Sequence, residues 1–179
     1  VGKYRQIFYG LSLGIGSQVG RFGNLIFEGR YQFDEVKNID NEPIDPYKTK
    51  IVSLKISTTI DTQDKYPYPE NGVFFSGFYE TAASVFGGEV GYSNLGFEYK
   101  NYFSISSRSV ISPKISFGFA DKTLPLSEQY SLGGQESFYG MNYSEYRGRQ
   151  IFLTSLMCRY KLPFIIFFDT YLKARYDLG

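Results

Sequence analysis

The sequence predicts an all-β fold, an antiparallel up-and-down β-barrel. Apolar and polar residues alternate with a period of two through most of the 179-residue chain, which is the pattern of strands with one apolar face. Aromatic residues make up 19% of the sequence and glycine occurs 19 times, a composition that favours strands and turns. No stretch of about ten or more residues follows the helical period, so helices have no part in the prediction.

Each strand is predicted where the alternation is sharpest. In the second strand, Leu25 and Phe27 lie on one face, and Glu28 and Arg30 lie on the other. About eight such segments follow one another, and no linker divides the chain into two domains. Residues 1–179 are therefore expected to form a single β domain. The predicted strands cover residues 7–15, 24–34, 52–61, 73–84, 94–104, 110–120, 150–162 and 164–177.

The length of the strands and the form of their connections favour a transmembrane barrel. Strands of more than about ten residues with one continuous apolar face fit a tilted bilayer crossing. The stretch Leu162-Pro163-Phe164 is predicted to be a minimal turn, whereas residues 121–149 form a long, Gly-rich connection. Short turns at one rim and long loops at the other are typical of membrane barrels. A soluble β-sandwich that binds a ligand or a partner has the same local alternation, so it stays an alternative.

The composition argues against several classes of chemistry. The chain has no His, which disfavours Ser-His-Asp hydrolysis and most zinc sites, and no Gly-x-Ser-x-Gly segment. The single Cys158 cannot form an internal disulfide, and a net charge of +1 without a basic run argues against nucleic-acid binding. We therefore expect no catalytic residue, cofactor or metal in this chain. An enzyme that uses Asp61 and Asp64 as a carboxylate pair is a third option, and it requires that segment to be a turn.

Two motifs in the same order resemble the bacterial surface antigen superfamily of outer-membrane barrels. One is the stretch 131–150, which contains Leu-Gly-Gly and then Glu-Tyr-Arg-Gly-Arg-Gln, and the other is the Asp-rich hairpin 61–72 with its Pro-x-x-Gly turn. In that family the Leu-Gly-Gly stretch opens the sixth extracellular loop, which folds back into the lumen. The resemblance therefore implies that 121–149 is a lumen-facing plug. The residues that carry it are Leu132, Gly133, Gly134, Gly140, Arg147, Gly148 and Arg149 in the loop, and Asp61, Asp64, Pro69 and Gly72 in the hairpin.

One position departs from the family pattern. Assembly and two-partner-secretion members carry an Arg just before the glycine of the loop tip, where it pairs with a wall acid, and this chain has Tyr139 there. The loop cations Arg147 and Arg149 are expected either to pair with lumen acids such as Glu28, Asp169 or Asp177, or to be solvated. The sequence is in this respect more similar to the barrel at the C-terminus of patatin-like phospholipases, the fused autotransporter branch of type V secretion.

The resemblance also implies a location, a role and partners. The location is the bacterial outer membrane, and the role is to anchor and translocate a fused passenger domain of the patatin-like esterase type. An outer-membrane protein assembly or secretion barrel is the alternative within the family. The expected partners are outer-membrane lipid and a passenger domain or unfolded polypeptide, without nucleic acid. Because the family has sixteen strands, we expect this chain to be part of a longer barrel or to form a homo-dimer that completes one.

Overall fold

The computed structural model describes residues 4–38, 47–134, 137–163 and 169–179 and is built of strands. Two short 3-10 turns, Ser84–Phe86 and Leu126–Glu128, interrupt the connections. Within these ranges no helix is long and apolar enough to cross a membrane. The strands are β1 (Tyr4–Val19), β2 (Gly23–Asn38), β3 (Tyr47–Asp61), β4 (Gly72–Ala82), β5 (Tyr92–Ser106), β6 (Ser109–Ala120), β7 (Tyr130–Leu132), β8 (Tyr146–Gly148), β9 (Gln150–Lys161) and β10 (Tyr171–Leu178).

Eight of these strands form one antiparallel sheet. Its order is β1-β2-β3-β4-β5-β6-β9-β10, so every long strand pairs with its neighbour along the chain, and β7 pairs with β8 in a separate two-stranded sheet. The prediction of an all-β fold with up-and-down antiparallel strands is thereby confirmed. The register is continuous where the strands are longest, and all of β1 pairs with β2, from Tyr4 opposite Asn38 to Val19 opposite Gly23.

The sheet has a polar face and an apolar face, and the period-two pattern decides which residue lies on which. Arg30 of β2 is opposite Ser53 of β3, and these residues lie on the polar face. Leu54 of β3 is opposite Gly29 of β2, and they lie on the apolar face, as does Leu13 of β1. A slip of one residue would exchange the two faces, so the alternation also determines the register.

Burial on the two faces is the reverse of that in a soluble sandwich. The polar and charged residues that the structure buries include Glu80, Asn94 and Arg159, all on the polar face. Leu13 and Ile15 on the apolar face are 74% and 76% exposed. A soluble protein gains stability by burying its large apolar side chains and leaving its charges in water. Exposure of a whole apolar face is the arrangement expected where a strand is surrounded by lipid.

A small apolar cluster lies on the polar face beneath the β6–β9 connection. Ile51, Ala82, Tyr92 and Ala120 from β3 to β6 pack with Leu124, and Val90 and Tyr130 pack against them. Leu124 belongs to the connection itself, so hydrophobic burial as well as hydrogen bonding holds the start of the connection on the sheet.

The last connection differs from the prediction. Lys161 at the end of β9 is opposite Tyr171 at the start of β10, and the Leu162 N–H donates to the Thr170 carbonyl at 2.9 Å. The turn predicted at Leu162-Pro163-Phe164 is therefore wrong, since the two strands are joined by residues 162–170. The predicted strand start at 164 falls on residues 164–168, which lie outside the described residues.

Candidate functional site

The connection between β6 and β9, residues 121–149, is the predicted plug loop, and it contains a small hairpin of its own. Strands β7 and β8 pair so that Tyr130 is opposite Gly148, Ser131 is opposite Arg147 and Leu132 is opposite Tyr146. This hairpin gives the loop internal backbone hydrogen bonds, so the loop does not rely on the sheet for all of its backbone partners.

The first part of the loop is bound to the polar face by Arg30 of β2. Its Nη2 lies 3.0 Å from Oε2 of Glu128 in the loop and 2.5 Å from Oε1 of Glu80 in β4. The same nitrogen is 2.9 Å from the Tyr92 hydroxyl, and Gln32 Nε2 donates to the other oxygen of Glu128 at 3.0 Å. Removal of one partner from such a part-buried charged network leaves an uncompensated charge, which is costly.

Tyr130 makes a second attachment of the loop to the sheet. Its hydroxyl donates to the Leu95 carbonyl of β5 at 2.5 Å. The same hydroxyl also lies within hydrogen-bond distance of the Asn94 side-chain oxygen. Its ring lies on Gly118 of β6, where a Cβ atom would come within 2.5 Å of the ring carbon Cζ. The absence of a side chain at Gly118 thus makes room for the aromatic ring of the loop.

The tip of the loop is bound to β10, at the other end of the sheet. The Tyr139 N–H donates to Oδ2 of Asp177 at 2.9 Å, and Arg175 Nη2 donates to the Ser137 carbonyl at 2.7 Å. The Arg175 guanidinium also lies over the Tyr139 ring, 5.5 Å from its centre, and forms an ion pair with Asp177 at 2.6 Å. In this contact the sheet therefore supplies the cation, Arg175, and the loop supplies the aromatic ring of Tyr139.

The predicted loop glycines shape the loop itself. Gly133 has φ +120°, and a Cβ there would lie 2.0 Å from the Asn142 carbonyl oxygen. Gly134 and Gly140 have φ +92° and +89°, and the nearest neighbour of a Cβ at Gly134 is the Tyr143 ring, at 3.1 Å. These backbone conformations favour glycine, and the close approach at Gly133 excludes every side chain.

The predicted loop cations lie at the base of the loop. Arg149 Nη1 donates to the Lys122 carbonyl at 2.5 Å, and Arg147 Nη1 lies 3.4 Å from the Leu126 carbonyl. Both guanidinium groups thus cross-link the outgoing and returning halves of the loop. Among the expected acidic partners, Asp169 pairs with Lys161 and Asp177 pairs with Arg175.

The predicted hairpin 61–72 joins β3 and β4 through a connection of ten residues, 62–71. Asp61 accepts a hydrogen bond from the Gln63 N–H and Asp64 accepts one from the Glu70 N–H, both at 2.9 Å. A Cβ at Gly72, which has φ +111°, would lie 2.3 Å from the Thr62 carbonyl oxygen. Each carboxylate therefore has a structural part in the turn, as an acceptor for a backbone N–H.

The pKa of Asp64 is consistent with its role as a hydrogen-bond acceptor in the hairpin. Partial burial raises the pKa of Asp64, but hydrogen bonds from Glu70 and Asn71 outweigh it, so the pKa lies below its ordinary value. A hydrogen bond from Lys161 to Asp169 likewise lowers the pKa of Asp169 in the 162–170 connection. Both carboxylates thus stay ionised at neutral pH and act as acceptors.

The hairpin folds onto the polar face through Tyr68 and Pro69. The Pro69 carbonyl accepts a hydrogen bond from the buried guanidinium of Arg159 in β9, and the Tyr68 ring lies 4.7 Å from the Tyr171 ring in β10. Like the long loop, this hairpin covers the polar side of the sheet.

Comparison with known families decides the identity of this architecture. The model of the Omp85 superfamily domain matches residues 2–177. The chain belongs to the Omp85 superfamily. The resemblance to the bacterial surface antigen superfamily is confirmed by this match, and the location of the chain is the bacterial outer membrane. An Omp85 barrel domain is non-catalytic.

A solved structure has the same fold as this Omp85 chain. The crystal structure of BamA from Haemophilus ducreyi lacking POTRA domains 1-3 superposes with a TM-score of 0.83 at 17% sequence identity. The match covers 97% of this chain and 42% of the BamA chain, so the present chain spans less than half of that protein. A search of curated proteins returns no match.

Several attachment residues of the Omp85 loop were not singled out from the sequence. Arg30, Glu80, Glu128 and Tyr130 come from four separate segments, and the contact of Arg30 with Glu128 joins residues 98 positions apart. The sequence does show that Arg30 and Glu80 are charges on the polar faces of strands, and a buried charge needs a partner. It does not show which residues form the pairs.

Within residues 4–38, 47–134, 137–163 and 169–179, no group of three or more Cys, Asp or Glu side chains is placed to hold a metal ion.

Proposed function

We propose that this chain forms the wall and the lumen loop of an Omp85 barrel that inserts or translocates polypeptides at the outer membrane. The observation that carries the proposal is the seating of residues 121–149 on the polar face, with attachments that extend from Arg30 of β2 to Asp177 of β10. On this proposal the polar face lines the lumen and the apolar face contacts lipid, as the exposure of Leu13 and Ile15 supports.

The polar attachments of the loop are compatible with a plug that stays bound in a water-filled lumen. The Glu128 and Asp177 contacts are hydrogen bonds and ion pairs, which water can compete for. Among the described residues of the loop, Leu124 at its start is buried in the apolar cluster, and Tyr130 packs against that cluster. A polypeptide in the lumen would meet polar side chains, to which it could bind without being trapped by a large apolar surface.

Reconstitution of the full-length protein into liposomes tests the proposal. An unfolded outer-membrane barrel protein is added, and its folding is followed by the resistance of folded barrels to SDS in the cold. We expect faster folding of this substrate than in protein-free liposomes, and slower folding again when Glu128→Cys and Gln32→Cys are cross-linked to fix the loop. Folding rates equal to those of empty liposomes would contradict an assembly role.

The fused-passenger function is the second candidate, and Tyr139 favours it. The loop tip has a tyrosine where assembly members carry an arginine, and the wall supplies Arg175 in its place. In that case a patatin-like esterase domain precedes the barrel and is carried to the cell surface. The open reading frame upstream distinguishes the two candidates. A Gly-x-Ser-x-Gly segment followed by an Asp-Gly pair supports the passenger, and repeated small α/β modules support the assembly factor.

The completion of the barrel belongs to the same proposal. The described sheet ends at β1 and β10, and we propose that the remaining wall of a sixteen-stranded barrel lies in other residues of the same protein. A homo-dimer that closes one barrel is the competing arrangement. Native mass spectrometry of the folded full-length protein separates them, because one copy per barrel is expected and two copies would support the dimer.

A further inference from the structure

A cavity lies on the polar face between the 61–72 hairpin and the tip of the 121–149 loop. Its volume is about 530 Å³, and both the hairpin and the loop tip contribute to its lining. The wall is formed by β5, β9 and β10. We call it the basic chamber, because its lining contains Arg159, Lys173 and Arg175 together with Tyr68, Tyr102 and Tyr139.

Arg159 and Lys173 lie directly opposite each other in the β9–β10 pairing, with both side chains on the polar face. Like charges in this position repel each other and destabilise the pair of strands. Neither cation has a carboxylate within ion-pair distance among the residues that the structure describes. Two facing positive charges thus line one chamber, and the described residues supply neither of them with an acidic partner.

The contacts of the two cations leave room for an anion. Arg159 is 4% exposed, and its guanidinium donates to the Pro69 carbonyl and lies 5.5 Å and 5.4 Å from the ring centres of Tyr68 and Tyr171. The Lys173 ammonium lies 4.8 Å from the Tyr68 ring. Aromatic rings attract a cation, but they do not neutralise it, and a guanidinium has five N–H donors.

Another pair of cations in the same sheet shows how the chain neutralises such a site. Lys100 of β5 is directly opposite Lys114 of β6, also on the polar face. Glu98 lies between them, and its two carboxylate oxygens are each 2.7 Å from one ammonium nitrogen. The carboxylate of Glu98 thus compensates the positive charges of both lysines. Arg175, the third cation of the basic chamber, likewise has Asp177 at 2.6 Å.

We propose that the basic chamber binds an oxyanion, a carboxylate or a phosphate group, between Arg159 and Lys173. The bound group takes the place that Glu98 has between Lys100 and Lys114, and it removes the repulsion between the two facing cations. The tyrosine rings of the hairpin and the loop tip enclose it. Since the hairpin and the loop tip both line the chamber, an oxyanion bound there also lies between the two segments that cover the polar face.

The test is calorimetric titration of the folded full-length protein in detergent micelles with two probes. Inorganic phosphate represents a phosphate group, and a hexaglutamate peptide represents the carboxylates of a polypeptide. We expect saturable binding of at least one probe, and the probe that binds more tightly identifies the source of the oxyanion. Loss of one charged hydrogen-bonding partner should weaken that binding by roughly tenfold or more.

The variants are Lys173→Gln, Arg159→Gln and the control Lys122→Gln. Lys122 is an exposed lysine in the 121–149 loop and does not line the chamber, so its removal changes the net charge equally and should leave binding unchanged. Lys173 is exposed, so its variant is expected to fold even if the buried Arg159→Gln variant does not. Absence of saturable binding of both probes to the wild type, or equal affinities of the wild type and Lys173→Gln, would overturn the proposal.

Discussion

Among the described glycines of the 121–149 loop, Gly133 has the least room for a side chain. Its φ of +120° is unfavourable for any other residue, and a side chain there would collide with the Asn142 carbonyl. We expect Gly133→Val to lower the stability of the loop by more than about 2 kcal/mol, because backbone strain and a steric clash add. Limited proteolysis of the folded protein should then cleave within 121–149 faster than in the wild type.

The matched control for this substitution is Gly148→Val. Gly148 has no positive φ, and the nearest atom to a Cβ there would be the Gln150 carbonyl oxygen, at 3.4 Å. The control should therefore resist proteolysis nearly as well as the wild type. Equal cleavage rates in Gly133→Val and the wild type would show that the loop does not depend on this glycine.

Asp64 gives the 61–72 hairpin a pH dependence. Its pKa is lower in the folded protein than in an unfolded chain because the carboxylate accepts hydrogen bonds from Glu70 and Asn71. A group with a lowered folded pKa stabilises the folded state above its unfolded pKa of about 4, and the stabilisation is lost as the pH falls through the folded pKa. Asp64→Asn should therefore increase hydrogen exchange in the hairpin at pH 7. At a pH below the folded pKa of Asp64 the variant and the wild type should exchange alike, and a difference that persists there would contradict this origin.

At the scale of a strand, the two faces of β1 should respond differently to charge. Leu13, 74% exposed near the middle of the strand, lies on the apolar face, and Ser12 lies on the polar face. Leu13→Arg should cost about 2–4 kcal/mol in a bilayer, because an arginine at the midplane of a lipid-facing strand is poorly solvated. Urea titration of the protein folded into lipid vesicles measures this cost. Ser12→Glu is the control, because it places a charge on the polar face opposite Arg30 without like-charge repulsion, and an equal cost for both variants would mean that the faces are wrongly assigned.

The strands were the part of this fold that the sequence predicted best. In segments such as 24–34 and 52–61, the alternation of apolar and polar residues predicts the face of the sheet on which each side chain lies. The residues of β2 and β3 lie on the predicted faces. The alternation predicted a strand from 164 onward; the described part of β10 begins at Tyr171, and residues 164–168 lie outside the described residues. The attachments of the loop could not be predicted, since they depend on which strands become neighbours.

The whole molecule should change its permeability when the loop loses one attachment to β2 and one to β10. Glu128 binds Arg30 of β2, and Asp177 of β10 binds the Tyr139 N–H at the loop tip. The double variant Glu128→Ala and Asp177→Ala should weaken the binding of the loop to the sheet at both places. We expect a higher single-channel conductance in planar bilayers for the full-length double variant than for the wild type.

Glu145→Ala is the control for the conductance measurement. Glu145 lies in the same loop, and its carboxylate accepts a hydrogen bond from the Asn142 N–H at 2.7 Å, within the loop. Removal of this acid should leave the attachments to β2 and β10 in place, and the conductance should stay at the wild-type value. An increase in the control equal to that in the double variant would mean that the attachments to the wall do not hold the loop inside.

The two-ended attachment of the loop has a mechanical consequence. The segment from Glu128 to Tyr139 is attached to β2 at one end and to β10 at the other, and five strands of the sheet lie between these two attachments. We therefore expect β2 and β10 to move apart only as far as this segment can extend, unless one of the two attachments is released.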